Sequence, residues 1–212
     1  MNHEYYQERL DFVKSVVEGF GLEPTEITPV EYQEDAPFPY NNFIYKIILA
    51  KLASPKSFHN AGSYTTHPPD GGVSTIVMRL ANPRAQDIIQ DNRVENELAA
   101  IHLARKGLQA FKPEISGLIP AIYAWRSHGG AKDGFSWTLM EFKEGVPLDS
   151  EFQNLSEADR KDVLGQIADV FTGLQRAPIP ESIPAHGGLT INESGEIVGG
   201  QLTTLRGAPW AS

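Results

Sequence analysis

The sequence contains no cysteine, no long apolar run and no block of basic residues. Without cysteine the chain forms no disulfide, uses no thiol in catalysis and binds no zinc through thiolates. No stretch approaches the roughly 18 apolar residues of a membrane-spanning helix. The polar N-terminus, MNHEYYQERLDF, is unlike a secretory signal or a transit peptide. These absences favour a reducing compartment, so we expect a cytoplasmic protein with no membrane partner.

The charge balance argues against a nucleic-acid partner. The formal net charge is −9, and adjacent basic residues occur only as pairs, such as Arg105-Lys106. Binding to a phosphate backbone requires a concentrated patch of lysine and arginine, which the sequence lacks. The six histidines include no pair spaced four residues apart, so the sequence predicts no zinc site.

The remaining composition is that of a globular protein. The chain has 212 residues, of which 41% are hydrophobic and 21% are charged. That length corresponds to one or two domains, and the apolar content is sufficient for a packed core.

Apolar residues at helical spacing predict three helices, over about residues 3–20, 86–107 and 157–176. Ser156 is the expected N-cap of the third helix. The apolar positions of the second and third helices are expected to be buried; they are Val94, Leu98, Ile101 and Leu108, then Val163, Ile167, Val170 and Leu174.

Five strands are predicted from β-branched and aromatic runs, at residues 26–32, 42–49, 74–80, 119–125 and 136–142. Residues 51–72 are predicted to form a long loop, which is a candidate to cover a ligand. A short hairpin and a tail follow the third helix. The expected fold class is α+β, with a five-stranded antiparallel sheet, a long helix against it and a mainly helical second part.

The element order, together with six sequence stretches, resembles the aminoglycoside phosphotransferase-like (choline-kinase-like) family, in particular its fungal branch. The stretches are STIVMRLANP, NRVENELAAIHLAR, IPAIYAWRS, GFSWTLMEFKEGVPLDSEF, VLGQIADVFTGLQ and HGGLTINESGEIVGG. The resemblance implies a protein-kinase-like small lobe at residues 1–142, then a hinge and an incomplete helical lobe at 143–212. It also implies transfer of the ATP γ-phosphate to a small-molecule hydroxyl, with ATP and Mg²⁺ as cofactors.

A kinase-like lobe holds the ATP phosphates with a strand cation that pairs with a helix carboxylate. The resemblance places Arg79 at the cation position, where the family pattern has lysine; an arginine fork also binds phosphate. At about 100° per residue, Glu97 lies roughly 60° from the centre of the second helix's apolar stripe and Glu95 about 100°. We therefore expect Glu97 to be the partner. The alternative is that Arg79 forms only a surface ion pair.

The same resemblance implies that the adenine edge meets the segment from Met140 to Lys143. The carbonyl of Glu141 and the amide of Lys143 would form the hydrogen bonds, beside Met140. The phosphate loop between the first two strands is unusual, because EDAPFPYNN has no glycine and contains two prolines. Asn42 at its end is a candidate amide donor. A plain hairpin without a ligand is the alternative for this loop.

The residues that catalyse transfer are missing. The family motif H-G-D-x-x-x-x-N is approached only by HGGLTINE, in which Gly188 replaces the aspartate and Glu193 the asparagine. Either this segment is a degraded catalytic loop, or it is a hairpin that precedes the true loop in the fungal branch; we favour the hairpin. We therefore assign no catalytic and no metal-binding residue, and expect a truncated, inactive phosphotransferase. A pseudokinase that binds nucleotide or a partner is the alternative, and an unrelated α+β interaction domain is a third.

Overall fold

A computed structural model of the chain describes residues 5–30, 41–59, 61–85, 88, 90–128, 134–183 and 187–201. The fold class is α+β, as the sequence predicts. The strands are β1 (Pro24–Pro29), β2 (Asn42–Ala53), β3 (Val73–Ala81), β4 (Ile122–Arg126), β5 (Trp137–Glu141), β6 (Gly188–Ile191) and β7 (Ile197–Gly200). The α-helices are α1 (Tyr6–Gly19), α2 (Arg93–Phe111), α3 (Leu148–Glu151) and α4 (Glu157–Gln175), with 3₁₀ turns at Pro113–Leu118 and Phe152–Asn154.

The central sheet has five strands in the order β1-β2-β3-β5-β4, and every neighbouring pair is antiparallel. This confirms the predicted five-stranded antiparallel sheet. β1 is an edge strand, which explains why it tolerates Pro29: an edge strand has one side with no ladder to complete.

Successive residues of β3 face opposite sides of the sheet, and each side has its own helix. Ile76, Met78 and Leu80 are fully buried in the larger core, which also contains Val13 and Val17 of α1. On the opposite side, Leu98 of α2 packs with residues of β4 and β5, and Val77 of β3 lies against them. The sheet therefore lies between α1 and α2, and the odd-numbered β3 residues face α2.

The segment after β2 covers the outer edge of β4. Thr66 N donates to Ile122 O at 2.7 Å, Trp125 N donates to Ala61 O at 3.1 Å, and Trp125 Nε1 donates to Ser63 O at 2.9 Å. An uncovered edge strand invites pairing with another chain, and this segment prevents that pairing. β2 also extends to Ala53, past the expected start of the loop.

The helix boundaries differ from the sequence prediction at α2, which begins at Arg93 and ends at Phe111. The expected burial of the α4 stripe is wrong. Ile167 and Leu174 are each 37% exposed, and Phe171 on the same face is 62% exposed. The cause is that α4 packs against α2 through another side, where Gly173 approaches Leu108. Ser156 does cap α4, accepting a hydrogen bond from Asp159 N at 3.2 Å.

Within the described ranges, no helix has the length and apolar character needed to cross a membrane.

Replacing Gly107 with alanine should loosen the contact between α2 and α4. The new Cβ would lie 2.9 Å from Ala177 Cα and 3.1 Å from Gly173 O, which are backbone atoms that cannot move aside. We expect Gly107→Ala to lower the free energy of unfolding by about 1–3 kcal/mol, measured by urea denaturation. Gly165→Ala in α4 is the matched control, because nothing lies within 4 Å of its Cβ position. It should raise stability by about 0.5–1 kcal/mol; equal effects would contradict this packing.

Tyr123 should make the stability fall in alkaline solution. Burial raises its pKa to about 12 from the ordinary value of 10.0, and Glu141 adds to that increase. The unfolded side chain ionises first, so stability is full below about pH 10 and falls as the pH rises to about 12. An increase of two in pKa corresponds to on the order of 2–3 kcal/mol.

The measurement is the free energy of unfolding against pH for the native chain and Tyr123→Phe. The variant should lose most of the alkaline decline and keep a residual slope, because burial also raises the pKa of Tyr45. Parallel curves for the two proteins would exclude Tyr123 as the source.

Candidate functional site

The candidate site lies on the α2 side of the sheet, where three strands align their side chains. Arg79 of β3 pairs in register with Ile44 of β2 and with Thr138 of β5. Two residues before Arg79 in β3, Val77 pairs in register with Lys46 of β2 and with Met140 of β5. Residues that are paired in register share a face, so Arg79 and Met140 are close neighbours on one surface. The sheet thus brings the expected cation and the expected hinge residue together.

Arg79 is held by Glu97, as the helix geometry predicts. Arg79 Nη1 donates to Glu97 Oε1 across the gap between β3 and α2. The two side chains are 25% and 26% exposed, so solvent or a ligand can reach the pair. The Arg79 Nε atom is buried and has no hydrogen-bond partner within the described chain. A buried donor without a partner costs free energy, and an acceptor on a bound anion would remove that cost.

A second arginine, Arg93, joins the start of α2 to the sheet. Its Nη2 donates to Asn41 O and to Asn42 Oδ1, the latter at 3.1 Å, and its Nη1 donates to Asn82 O at 3.4 Å. Arg93 is 8% exposed. Burial lowers its pKa from the ordinary value, Glu97 opposes that change, and Arg79 reinforces it. Arg93 therefore fixes the ends of β2 and β3 beside the Arg79–Glu97 pair.

Asn42 is the first residue of β2, two positions from the partner of Arg79. Its side-chain oxygen accepts from Arg93, so Asn42 helps to position the loop end. Pro37 and Pro39 of the candidate phosphate loop lie outside the described residues.

The segment that the resemblance assigns to the hinge, from Met140 to Lys143, includes the last two residues of β5. Met140 is 7% exposed and packs with Leu98 and Ile122. The Glu141 carboxylate accepts from Lys143 Nζ at 2.6 Å and from Ala121 N at 3.0 Å. The side chain of Glu141 is therefore engaged with protein groups.

Lys46 is a cation of this surface that the sequence reasoning missed. Its Nζ lies 4.6 Å from the centre of the Phe142 ring, a cation–π contact at the start of the hinge. Lys46 shares a face with Val77 and Met140, two positions along β2 from the residue opposite Arg79. Only the strand register could have revealed it, because nothing in the sequence states which β2 residue lies opposite Val77.

The HGGLTINE segment forms the first strand and the turn of the β6–β7 hairpin; His186 lies outside the described residues. A Cβ on Gly188 would collide with Gln201 O and would lie 2.7 Å from Asn96 Nδ2. Asn192 closes the turn, since its Oδ1 accepts from Glu196 N at 2.8 Å. Position 188 therefore has no room for a catalytic aspartate, and Asn192 already has a structural role. Both facts favour the hairpin interpretation over a degraded catalytic loop.

No cluster of three histidine or carboxylate side chains able to hold a metal ion occurs in the described part of the chain. The cavity between α2 and the start of β4 is not lined by Arg79, Glu97 or Met140. The candidate site lies on the α2 side of the sheet, between α2 and the end of β5.

Removing the Arg93 guanidinium should destabilise this region strongly. Arg93→Met leaves the Asn41 and Asn82 carbonyls without their charged donor, so we expect a loss of about 2–4 kcal/mol in the free energy of unfolding. Arg126→Met, at an exposed position of β4, should change stability by no more than about 0.5 kcal/mol. If both substitutions had similarly small effects in urea denaturation, Arg93 would not be the anchor described here.

Comparison with known proteins gives no independent assignment. No family model matches the sequence, and no curated protein is significantly similar to it. A relationship to the phosphotransferases and the roles of the site residues are therefore proposals.

Proposed function

We propose that the chain is the nucleotide-binding lobe of a kinase-like phosphotransferase of the aminoglycoside phosphotransferase-like family. The reaction of such an enzyme moves the ATP γ-phosphate to the hydroxyl of a small molecule. The observation that carries the proposal is the Arg79–Glu97 pair between the central strand and α2. The order of the strands in the sheet, with α2 in the connection between β3 and β4, also supports the assignment to a kinase-like lobe.

The pair suits a phosphate-binding role better than a purely structural one. An exposed ion pair contributes little stability, and this pair is only partly buried. Glu97 holds one end of the guanidinium, while the buried Nε–H of Arg79 has no partner within the described residues. A phosphate oxygen accepts charge-assisted hydrogen bonds from such a fork. The residues present therefore fit the phosphates of a nucleotide.

The adenine would lie on the surface formed by Val77 and Met140, next to the hinge. Val77 and Met140 are partners in register, and Phe142 follows at the hinge with Lys46 over its ring. Apolar walls beside exposed backbone are what a purine needs. We place the adenine edge at Glu141 and Lys143 through their main-chain groups.

The described ranges contain no group of three or more metal-ligating side chains, and we assign no Mg²⁺ ligand to this chain. The HGGLTINE segment cannot supply the base-like aspartate that the reaction requires, because position 188 has no space for that side chain. We therefore propose nucleotide binding without efficient phosphoryl transfer by this chain.

A second candidate is a nucleotide- or partner-binding module that performs no catalysis in any context. It would apply if HGGLTINE were the catalytic loop itself, because a Cβ on Gly188 would lie 2.7 Å from Asn96 Nδ2 and would collide with Gln201 O, so the loop could not hold an aspartate there.

Nucleotide binding should depend on Glu97 and should be insensitive to Glu95. We expect Arg79→Met and Glu97→Gln each to lower the affinity for ATP about tenfold or more, because each variant loses a charge-assisted contact. Glu95→Gln is the matched control, because Glu95 lies in the same turn of α2 and carries the same charge. Isothermal titration calorimetry with ATP, with and without Mg²⁺, gives the affinities.

The double variant Arg79→Met/Glu97→Gln should bind no more weakly than the worse single variant, since the two residues act as a unit. Additive losses, or an equal loss in Glu95→Gln, would contradict the role of the pair. If the native chain showed no measurable binding at millimolar ATP, the proposed nucleotide site would be wrong.

A further inference from the structure

A cavity of about 280 Å³ lies between the second half of α2, the segment at residues 61–66 and the start of β4. It is separate from the proposed nucleotide site. β5 stands between β4 and β3, which carries Arg79, and Arg105 lies eight residues beyond Glu97, about 12 Å along the helix. Its lining includes Tyr64, His102, Arg105, Lys106, Ser116 and Ile122.

The cavity is basic although the chain is acidic. Arg105, Lys106 and His102 line it, and no carboxylate among the described residues does so. The chain as a whole has a net charge of −9. Within the described part of the chain, neither Arg105 nor Lys106 forms a salt bridge, whereas Lys112, the residue that follows α2, pairs with Asp169 at 2.7 Å. Uncompensated cations in a concave site attract anions.

The guanidinium of Arg105 is held in place before any ligand binds. Its Nη1 donates to Ile119 O in the turn that precedes β4. The rest of its planar fork can present donors to a tetrahedral oxyanion. Ser116 also lines the cavity, and its single hydroxyl hydrogen is engaged by protein acceptors, with Pro113 O at 2.7 Å and Gln109 Oε1 at 2.8 Å.

One wall of the cavity is aromatic and tightly organised. The rings of Tyr64 and His102 lie 4.5 Å apart, and Tyr64 Oη accepts from Ile197 N of the β6–β7 hairpin at 3.2 Å. Tyr64 has a φ of 57°, a left-handed conformation that is costly for a tyrosine and is maintained at binding sites more often than elsewhere. Burial lowers the pKa of His102, and the charge of Lys106 lowers it further.

We propose that this cavity binds a small organic phosphate, with the phosphate group on Arg105 and Lys106 and the organic part against Tyr64 and Ile122. The cationic pair selects the dianion, and the apolar wall selects a ligand larger than inorganic phosphate. The volume accommodates a compound of a few heavy atoms beyond the phosphate group. The site uses none of the residues of the nucleotide proposal, so either proposal can fail without the other.

The experiment is a titration of the ¹⁵N-labelled full chain with inorganic phosphate and with phenyl phosphate, followed by NMR chemical shifts. We expect saturable shifts around residues 61–66 and 101–109, with phenyl phosphate binding more tightly. Lys106 is exposed, so Lys106→Gln should not affect folding; it should lower the affinity for both phosphates about tenfold. Arg105→Gln should have a similar effect, and Lys14→Gln on α1 is the matched control that should have none.

Three results would overturn the proposal: no saturation at millimolar phenyl phosphate, an equal loss of affinity in Lys14→Gln, or abolition of binding by Arg79→Met. The last result would place the ligand at the nucleotide site. The charged and titratable groups that line the cavity with His102 are Tyr64, Arg105 and Lys106. A bound phosphate should therefore raise the pKa of His102, and an unchanged His102 titration in the saturated protein would also count against the site.

Discussion

The position of β3 between β2 and β5 is the constraint on which the rest of the structure depends. Hydrogen bonds on both sides hold the strand, and its alternation then assigns every second residue to the core against α1. The residues between them, including Arg79, must face α2. A charged side chain on that face needs a partner, and Glu97 supplies it. The location of the candidate site is thus a consequence of strand order.

α2 connects the two proposed ligand surfaces. Its first turn is anchored by Arg93 to the ends of β2 and β3, and Glu97 follows one turn later. Its second half carries Arg105 and Lys106, which line a cavity that residues 64–66 border on another side. The 61–66 segment also protects the edge of β4, so one stretch of chain both completes the sheet and forms a binding wall.

The existence and type of the main elements could be predicted from the sequence, because helical and strand periodicities are strong in each of them. The choice of Glu97 over Glu95 followed from helix geometry alone, since the angle around α2 depends only on residue spacing. The burial of the α4 stripe could not be predicted. Periodicity shows that one side of a helix is apolar, but the glycines at positions 107 and 173 bring a different side of α4 against α2.

The sequence by itself determined the α+β class, the antiparallel sheet and the choice of Glu97 over Glu95, because these depend on local spacing and on the adjacency of consecutive strands. Only the tertiary structure decided that Lys46 joins the same surface, that position 188 excludes a side chain and that Arg105, Lys106 and Tyr64 enclose one cavity. Each of these depends on strand register or on the approach of segments distant in sequence. Such contacts form only when the whole chain packs, so no local pattern encodes them.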